Sequence, residues 1–111
     1  LLNLMIDIEP YLMRIKERAS QEPLKKEFES FNRKVLFTFT DTGESYVVAF
    51  NRGDVTVSKG QDTSAEVQIT TITDVLAGIM DKKTNPVTVY ITRKIKVKGE
   101  MQDLLKLQKL L

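Results

Sequence analysis

Apolar residues in the first third of the chain recur at helical spacing. Pro10 suits a first helical position, and the apolar residues around it share one side of a helix: Ile8, Leu12, Ile15 and Ala19. Pro23 is expected to open a second helix in which three apolar residues share a face: Leu24, Phe28 and Phe31. The polar residues 20–22 between them predict a break.

From Val35 onward the period of the apolar residues becomes two, which is typical of strands with one buried face. Strands are predicted over residues 35–40, 46–50, 55–58 and 66–70, and the second of them is apolar on both faces, as in a central strand. Short segments rich in Asp, Asn, Gly and Lys separate the strands and predict turns. Strands joined in this way predict an antiparallel meander.

Behind the fourth strand, a stripe of apolar residues predicts another helix: Ile72, Val75, Leu76, Ile79 and Met80. Thr71 and Asp74 have the spacing of a capping box, with Asp in place of the usual Glu. Gly78 lies inside this helix, where Ala would be about 1 kcal/mol more favourable. Either another backbone or a ligand approaches Gly78 closely, or the helix simply tolerates the glycine.

Residues 87–92 are ambiguous. Their β-branched side chains favour a strand. Asn85 and Pro86 suit the N-cap and the first position of a short helix, and we predict that helix.

The chain changes period at Gly99. Before this glycine, charged and apolar residues alternate from Lys94 to Lys98, which predicts a strand. After it, residues 101–111 have helical spacing and contain six large apolar side chains. A helix this apolar must cover something, and the candidates are the core, a partner or a ligand.

Three short motifs in this region occur in the order found in a known family. They are Asn85-Pro86, the strand Lys94-Ile95-Lys96-Val97-Lys98-Gly99, and a closing helix with Met101 and Lys106-Leu107-Gln108. Together they resemble the C-terminal part of the sterol carrier protein 2 domain. The close resemblance covers roughly a quarter of the chain, and the rest agrees only in the order of its elements. Arg93 departs from the family, which usually has Gly there; if that glycine allows a tight turn in relatives, this junction is built differently here.

The resemblance implies an α+β fold with a five-stranded, mostly antiparallel sheet and helices packed on one face around an apolar tunnel. It also implies that residues 1–111 form a single lipid-binding domain that holds a sterol, a fatty acid or a fatty acyl chain, with no bond chemistry and no cofactor. Burial of apolar ligand surface would supply the affinity. The residues expected to bind the ligand lie on the last three helices: Leu76, Ile79, Met80, Val87, Tyr90, Ile91, Met101, Leu104, Leu105 and Gln108.

Composition argues against several other functions. The chain has no Cys and no His, which excludes disulfides and removes the commonest general base and metal ligand. No catalytic or metal-ligating spacing is found, so we predict neither catalysis nor a metal site. A net charge of +2, without exposed aromatic residues among the lysines, argues against nucleic acid. No apolar run approaches the length of a membrane span or forms a leader, and we expect a cytoplasmic domain.

A cluster of basic residues has two interpretations: Lys82, Lys83, Arg93, Lys94, Lys96 and Lys98. It would attract an anionic membrane surface or the phosphates of an acyl-CoA, with about 1 kcal/mol per charge near a membrane. Alternatively, the lysines of the last strand are the solvated face of an edge strand, where they discourage sheet-to-sheet association.

The terminal helix also has two interpretations. On a helical wheel, Gln108 lies within an apolar arc, where its amide would hydrogen-bond a polar group of the ligand, or else it reaches solvent. Leu110 points away from that arc. The alternative function is an interaction or oligomerisation module in which this leucine-rich helix docks on a partner, and the sequence leaves the oligomeric state open.

Overall fold

The computed structural model describes residues 6–111, which form five helices and a five-stranded sheet. The elements follow in this order: α1 (Glu9–Ala19), α2 (Leu24–Phe28), β1 (Arg33–Phe39), β2 (Glu44–Asn51), β3 (Asp54–Lys59), β4 (Val67–Thr71), α3 (Thr73–Met80), α4 (Pro86–Ile91), β5 (Lys96–Lys98) and α5 (Met101–Gln108). The predicted helices and strands are therefore present, including the short helix that begins at Pro86. Two bounds differ from the prediction: Phe31 lies beyond the end of α2, and the last strand begins at Lys96 instead of Lys94.

The strand order is β3-β2-β1-β4-β5, with β1 at the centre. Three of the four pairings are antiparallel, and β1 with β4 is parallel. The predicted mostly antiparallel α+β fold is confirmed. The predicted meander is wrong at its fourth strand, because β4 pairs with β1 instead of with β3.

The crossover from β3 to β4 is held by polar contacts to the two strands that it passes. Gly60 donates its N–H to the carbonyl of Ser45 on β2 at 2.8 Å. Lys34 at the start of β1 binds Asp62 through Nζ at 3.0 Å and donates its N–H to Glu66 at 2.9 Å. A period of two identifies a strand but not its neighbour, so apolar spacing alone missed this crossover.

One face of the sheet carries the core. The register aligns Val35 with Val48 and with Val67, so alternate residues of neighbouring strands point to the same side. On that side they form one cluster with buried residues of α1, α2, α3 and the end of α5. The opposite face carries exposed residues such as Lys34 and Lys96. The prediction of helices on one face is therefore confirmed.

Helix α3 begins at a contact that the sequence did not predict. The N-cap is Ile72, and Asp41 in the β1–β2 turn accepts hydrogen bonds from the N–H and the hydroxyl of Thr73 at 3.1 and 2.6 Å. Thr71 instead donates its hydroxyl to the carbonyl of Lys94 at 2.9 Å. The predicted capping box of Thr71 and Asp74 is therefore wrong, because Thr71 still belongs to β4.

Gly78 has a steric reason to be glycine. A Cβ at this position would lie 2.7 Å from Oγ1 of Thr84, which is too close for any real contact. The close neighbour on the Cβ side is thus the side chain of Thr84 in the same chain.

Helix α4 is capped as the sequence predicts. The side chain of Asn85 accepts hydrogen bonds from the N–H of Val87 at 2.8 Å and of Thr88 at 3.4 Å. Two residues beyond the helix, Arg93 adopts a φ of 62°. This is the left-handed conformation that a glycine adopts without strain, so the chain makes a glycine-like turn here with an arginine.

Candidate functional site

A small apolar cavity lies between the sheet and the helices. Its volume is about 20 Å³, roughly the room that one water molecule needs. Only apolar residues line it: Ile15, Val35, Phe37, Val48, Phe50, Ile69, Leu107, Leu110 and Leu111. A site with such walls favours a hydrocarbon and offers no hydrogen bond to a polar ligand.

Two kinds of element build the walls. The strands supply one side, because the register pairs Val35 with Val48 and Phe37 with Ile69, which places these side chains on the covered face. The opposite side consists of Ile15 on α1 and the end of the chain from Leu107 onward, which we call the terminal wall (residues 107–111).

The terminal wall follows a change in helix geometry. After Gln108, the N–H groups of Lys109, Leu110 and Leu111 bond to carbonyls three residues earlier. Side chains three apart eclipse in such a tight turn, so Leu110 falls under Leu107 and is fully buried. The prediction that Leu110 points away is therefore wrong, since an ideal wheel of 100° per residue does not describe these last residues.

The start of α5 is held by a charged pair. Nε of Arg33 donates to Oδ2 of Asp103 at 2.9 Å, and Asp103 is buried although it lies on the first turn of α5. This hydrogen bond, together with the nearby negative charge, raises the pKa of the Arg33 guanidinium above its ordinary value. The pair fixes α5 to the first residue of β1.

The terminal wall itself is held from outside by basic side chains. Nη1 of Arg18 on α1 donates to the carbonyls of Leu110 and Leu111 at 2.9 and 3.0 Å. Nζ of Lys82 donates to the carbonyl of Leu111 at 3.0 Å, and Lys109 pairs with Glu27. The residues that close the cavity are thus held by a few polar contacts near the surface.

None of the ten residues predicted to bind a ligand lines this cavity. Leu76, Ile79 and Met80 are buried in the core around α3, and Leu104 is half-buried against it. The other six are exposed: Val87, Tyr90, Ile91, Met101, Leu105 and Gln108. Gln108 therefore reaches solvent in this structure. The buried apolar side chains at this end of the chain are Leu107 and Leu110.

Most residues that do line the cavity had been predicted only as alternating or helical apolar positions, and Leu110 had been predicted to point away. The parallel contact of β1 with β4, which the apolar spacing did not reveal, brings Ile69 beside Phe37. The tight turn after Gln108 adds Leu110. To find this site from the sequence, one would have had to predict the strand order with β1 at the centre of the sheet.

The described residues were also compared with what a metal site, a membrane span and a docking helix require. Among residues 6–111, no cluster of three or more Asp, Glu, His or Cys side chains suits a metal ion. In that same stretch, no helix has the length and apolar content needed to cross a bilayer. Leu107 and Leu110 are buried in the chain's own core, whereas Met101 and Leu105 of α5 are exposed, so the alternative of a docking helix stays a prediction.

Comparison with known proteins identifies the family. A model of the SCP-2 sterol transfer family matches residues 12–111, which is nearly the whole chain. The chain belongs to the SCP-2 sterol transfer family. The resemblance of residues 85–111 to the sterol carrier protein 2 domain is therefore confirmed. No curated protein matches the chain.

Solved structures of this family share the fold. The sterol carrier protein domain 2 of Helicoverpa armigera is 19% identical with a TM-score of 0.72, and the match covers 93% of this chain and 84% of that one. For the palmitated SCP2L2 of Aedes aegypti, identity is 19%, the TM-score is 0.70, and coverage is 95% and 94%.

The fold also occurs inside a larger enzyme. The sec-alkylsulfatase Pisa1 from Pseudomonas sp. is 18% identical with a TM-score of 0.69 over 78% of this chain, which spans only 14% of the length of that chain. At this identity the likeness shows a shared fold and carries no activity over to this protein.

Proposed function

We propose that this protein binds one long-chain apolar lipid between its sheet and the terminal wall, and releases it chemically unchanged. The observation that carries the proposal is the cavity lined only by apolar residues in a chain of the SCP-2 sterol transfer family. Each Å² of apolar ligand surface buried there would contribute about 25 cal/mol, so an alkyl chain supplies affinity without any hydrogen bond.

The cavity must widen to admit such a ligand. At about 20 Å³ it has the room of roughly one water molecule, far less than a fatty acyl chain occupies. The sheet wall is fixed by continuous ladders of hydrogen bonds on both sides of β1. The polar contacts that hold the terminal wall from outside come from Arg18, Lys82 and Glu27, so we propose that the wall moves outward to let the lipid enter.

This movement would bring closer to the lipid some of the residues that the sequence predicted to bind it. Met101, Leu104, Leu105 and Gln108 lie on α5, which continues into the wall that moves. Their contact with a ligand, and that of the α3 and α4 residues, stays a prediction. The exposed position of Gln108 argues that it is not needed to hold an apolar ligand in the closed form.

Palmitate is the appropriate first ligand, because a relative of the same fold is described as palmitated. We expect a fluorescent fatty acid to bind at one site and to be displaced by palmitate. An absence of saturable binding at tens of micromolar protein, the weak end of ordinary affinities, would contradict the proposal.

A pair of variants localises the site. Val48→Leu adds one methylene group to a residue that lines the cavity, whereas Val67→Leu adds it to another fully buried valine of the same sheet that does not. We expect Val48→Leu to weaken palmitate several-fold and Val67→Leu to leave it nearly unchanged. Equal effects would place the ligand elsewhere, and unfolding midpoints of both variants control for stability.

A further inference from the structure

Helix α4 exposes an apolar face that its own fold does not use. Val87, Tyr90 and Ile91 are 59%, 61% and 70% exposed, although each is a large apolar or aromatic residue. Their spacing of three and four places them on one side of the helix. Only Val89 turns inward, where it is 1% exposed and anchors α4 to the core.

Basic residues stand at both ends of this helix. Lys82 and Lys83 precede its cap, and Arg93 and Lys94 follow its last turn. The N–H groups of Arg93 and Lys94 bond to the carbonyls of Tyr90 and Val89 at 3.1 and 3.0 Å, which keeps both residues against the helix. The sequence has no acidic residue from position 82 to position 99.

These charges are also largely uncompensated. Lys83, Arg93 and Lys94 are exposed, and no ion pair joins any of them to an acidic side chain within residues 6–111. The acidic residue just before Lys82 is Asp81, which is occupied by Arg14 and by the hydroxyl of Tyr11. The surface around α4 is therefore positively charged.

We propose that α4 is a docking face for an anionic lipid surface. Val87 and Ile91 would enter the boundary between headgroups and acyl chains, and the ring of Tyr90 would lie at headgroup level, where aromatic side chains with one polar end are favoured. The basic residues at both ends would lie against the anionic headgroups, each strengthening binding by about fivefold. Charge complementarity favours a membrane over a protein groove, because the narrow apolar stripe is flanked in sequence by four cations and residues 82–99 contain no acid. The inference does not depend on what the cavity holds.

A single tryptophan reports the docking directly. The chain has no Trp, so Tyr90→Trp places the only indole on α4, and Met13→Trp places it on an exposed position of α1 as a matched control. Vesicles of phosphatidylcholine with a third of phosphatidylglycerol should shift the emission of the α4 indole to the blue and leave that of the α1 indole unchanged. Pure phosphatidylcholine vesicles should shift neither at physiological salt.

Charge reversals test the electrostatic part. Lys83→Glu/Lys94→Glu, in the Tyr90→Trp background, should weaken binding to the anionic vesicles by about thirtyfold or more, since two favourable charges are lost. Lys25→Glu/Lys26→Glu on α2 makes the same change in net charge and should weaken binding far less. Circular dichroism checks folding, and Lys83→Gln/Lys94→Gln replaces the reversal if that variant does not fold. No blue shift at position 90, an equal shift at position 13, or equal losses in the two charge variants would overturn the proposal.

Discussion

One wall of the cavity is the centre of a sheet and the other is the last turn of a helix, and different contacts hold them. Phe37 lies on β1, whose backbone is hydrogen-bonded to β2 on one side and to β4 on the other. Leu110 lies beyond the end of α5, where Arg18 holds its carbonyl from the partly exposed side. Both side chains are buried, so burial alone does not distinguish the two walls.

The terminal wall can move at a lower cost in free energy than the sheet wall. Opening the sheet wall would break two ladders at once, whereas moving the terminal wall breaks a few side-chain hydrogen bonds and exposes a few leucines. Segments with few backbone bonds to the rest of the fold open at a lower free energy than central strands. Under the proposed function, the fixed wall would set the shape of the lipid site and the terminal wall would control access to it.

The largest effect should come from removing a side chain of the fixed wall. Phe37→Ala should lower the free energy of unfolding by about 3–5 kcal/mol, because β1 cannot close the space that the ring leaves. Leu110→Ala should cost about 2–3 kcal/mol, since the terminal wall can settle inward. Urea denaturation measures both, and a larger loss for Leu110→Ala would reverse the comparison.

Removing the charged pair at the start of α5 should have an intermediate effect. Arg33→Met leaves the buried carboxylate of Asp103 without its partner and should cost about 1–3 kcal/mol of unfolding free energy. Arg33→Met/Asp103→Leu should recover part of that loss, because both charges are then gone. If the single variant is as stable as the parent protein, this pair does not hold α5 to β1.

A polar contact on the fixed side should show its own dependence on pH. Burial raises the pKa of Asp41, but hydrogen bonds from the hydroxyl and the N–H of Thr73 outweigh it and lower that pKa below 3.8. The carboxylate therefore stabilises the fold above its unfolded pKa, and this stabilisation is lost as the pH falls through its folded pKa. Asp41→Asn should cost about 1 kcal/mol at neutral pH.

Unfolding curves measured between neutral pH and the acid range check this prediction. The stability of the Asp41→Asn variant should fall less steeply below about pH 4 than that of the parent protein. Asp54→Asn at the first position of β3 is the matched control. A variant with the same acid slope as the parent would show that Asp41 does not contribute to it.

The smallest effect is expected at Gln108. Because this side chain is exposed, Gln108→Leu should change the unfolding free energy by less than about 0.5 kcal/mol. It should also change the affinities for palmitate and for a plain hydrocarbon equally. A selective loss of the ligand with a polar group, measured by competition, would instead bring Gln108 into the site.

Local patterns of apolar and polar residues predicted most helices and strands of the fold. The period of two found β1 to β4, and Asn85 with Pro86 found α4 against the β-branched composition of that helix. What the patterns missed depends on contacts between distant residues. The position of β4 beside β1 is one such case. There Lys34 contacts Asp62 and Glu66, and both are far from Lys34 in sequence.

The site was harder to predict than the fold for the same reason. Its lining comes from α1, three strands and the terminal wall, so no single segment marks it. Three of the residues predicted to bind a ligand, Val87, Tyr90 and Ile91, are exposed on α4. An apolar residue on a helix predicts that something covers it, but the spacing does not say whether this is the core, a ligand or a membrane.

The central claim is that the terminal wall moves to admit a lipid while the sheet wall stays fixed. Amide hydrogen exchange in the presence and absence of palmitate tests it directly, with Arg18→Ala as the variant that loosens the wall. We expect residues 101–111 to exchange faster than residues 46–50, to slow when palmitate is added, and to exchange faster still in Arg18→Ala. Equal protection of the two segments, unchanged by palmitate, would contradict the account.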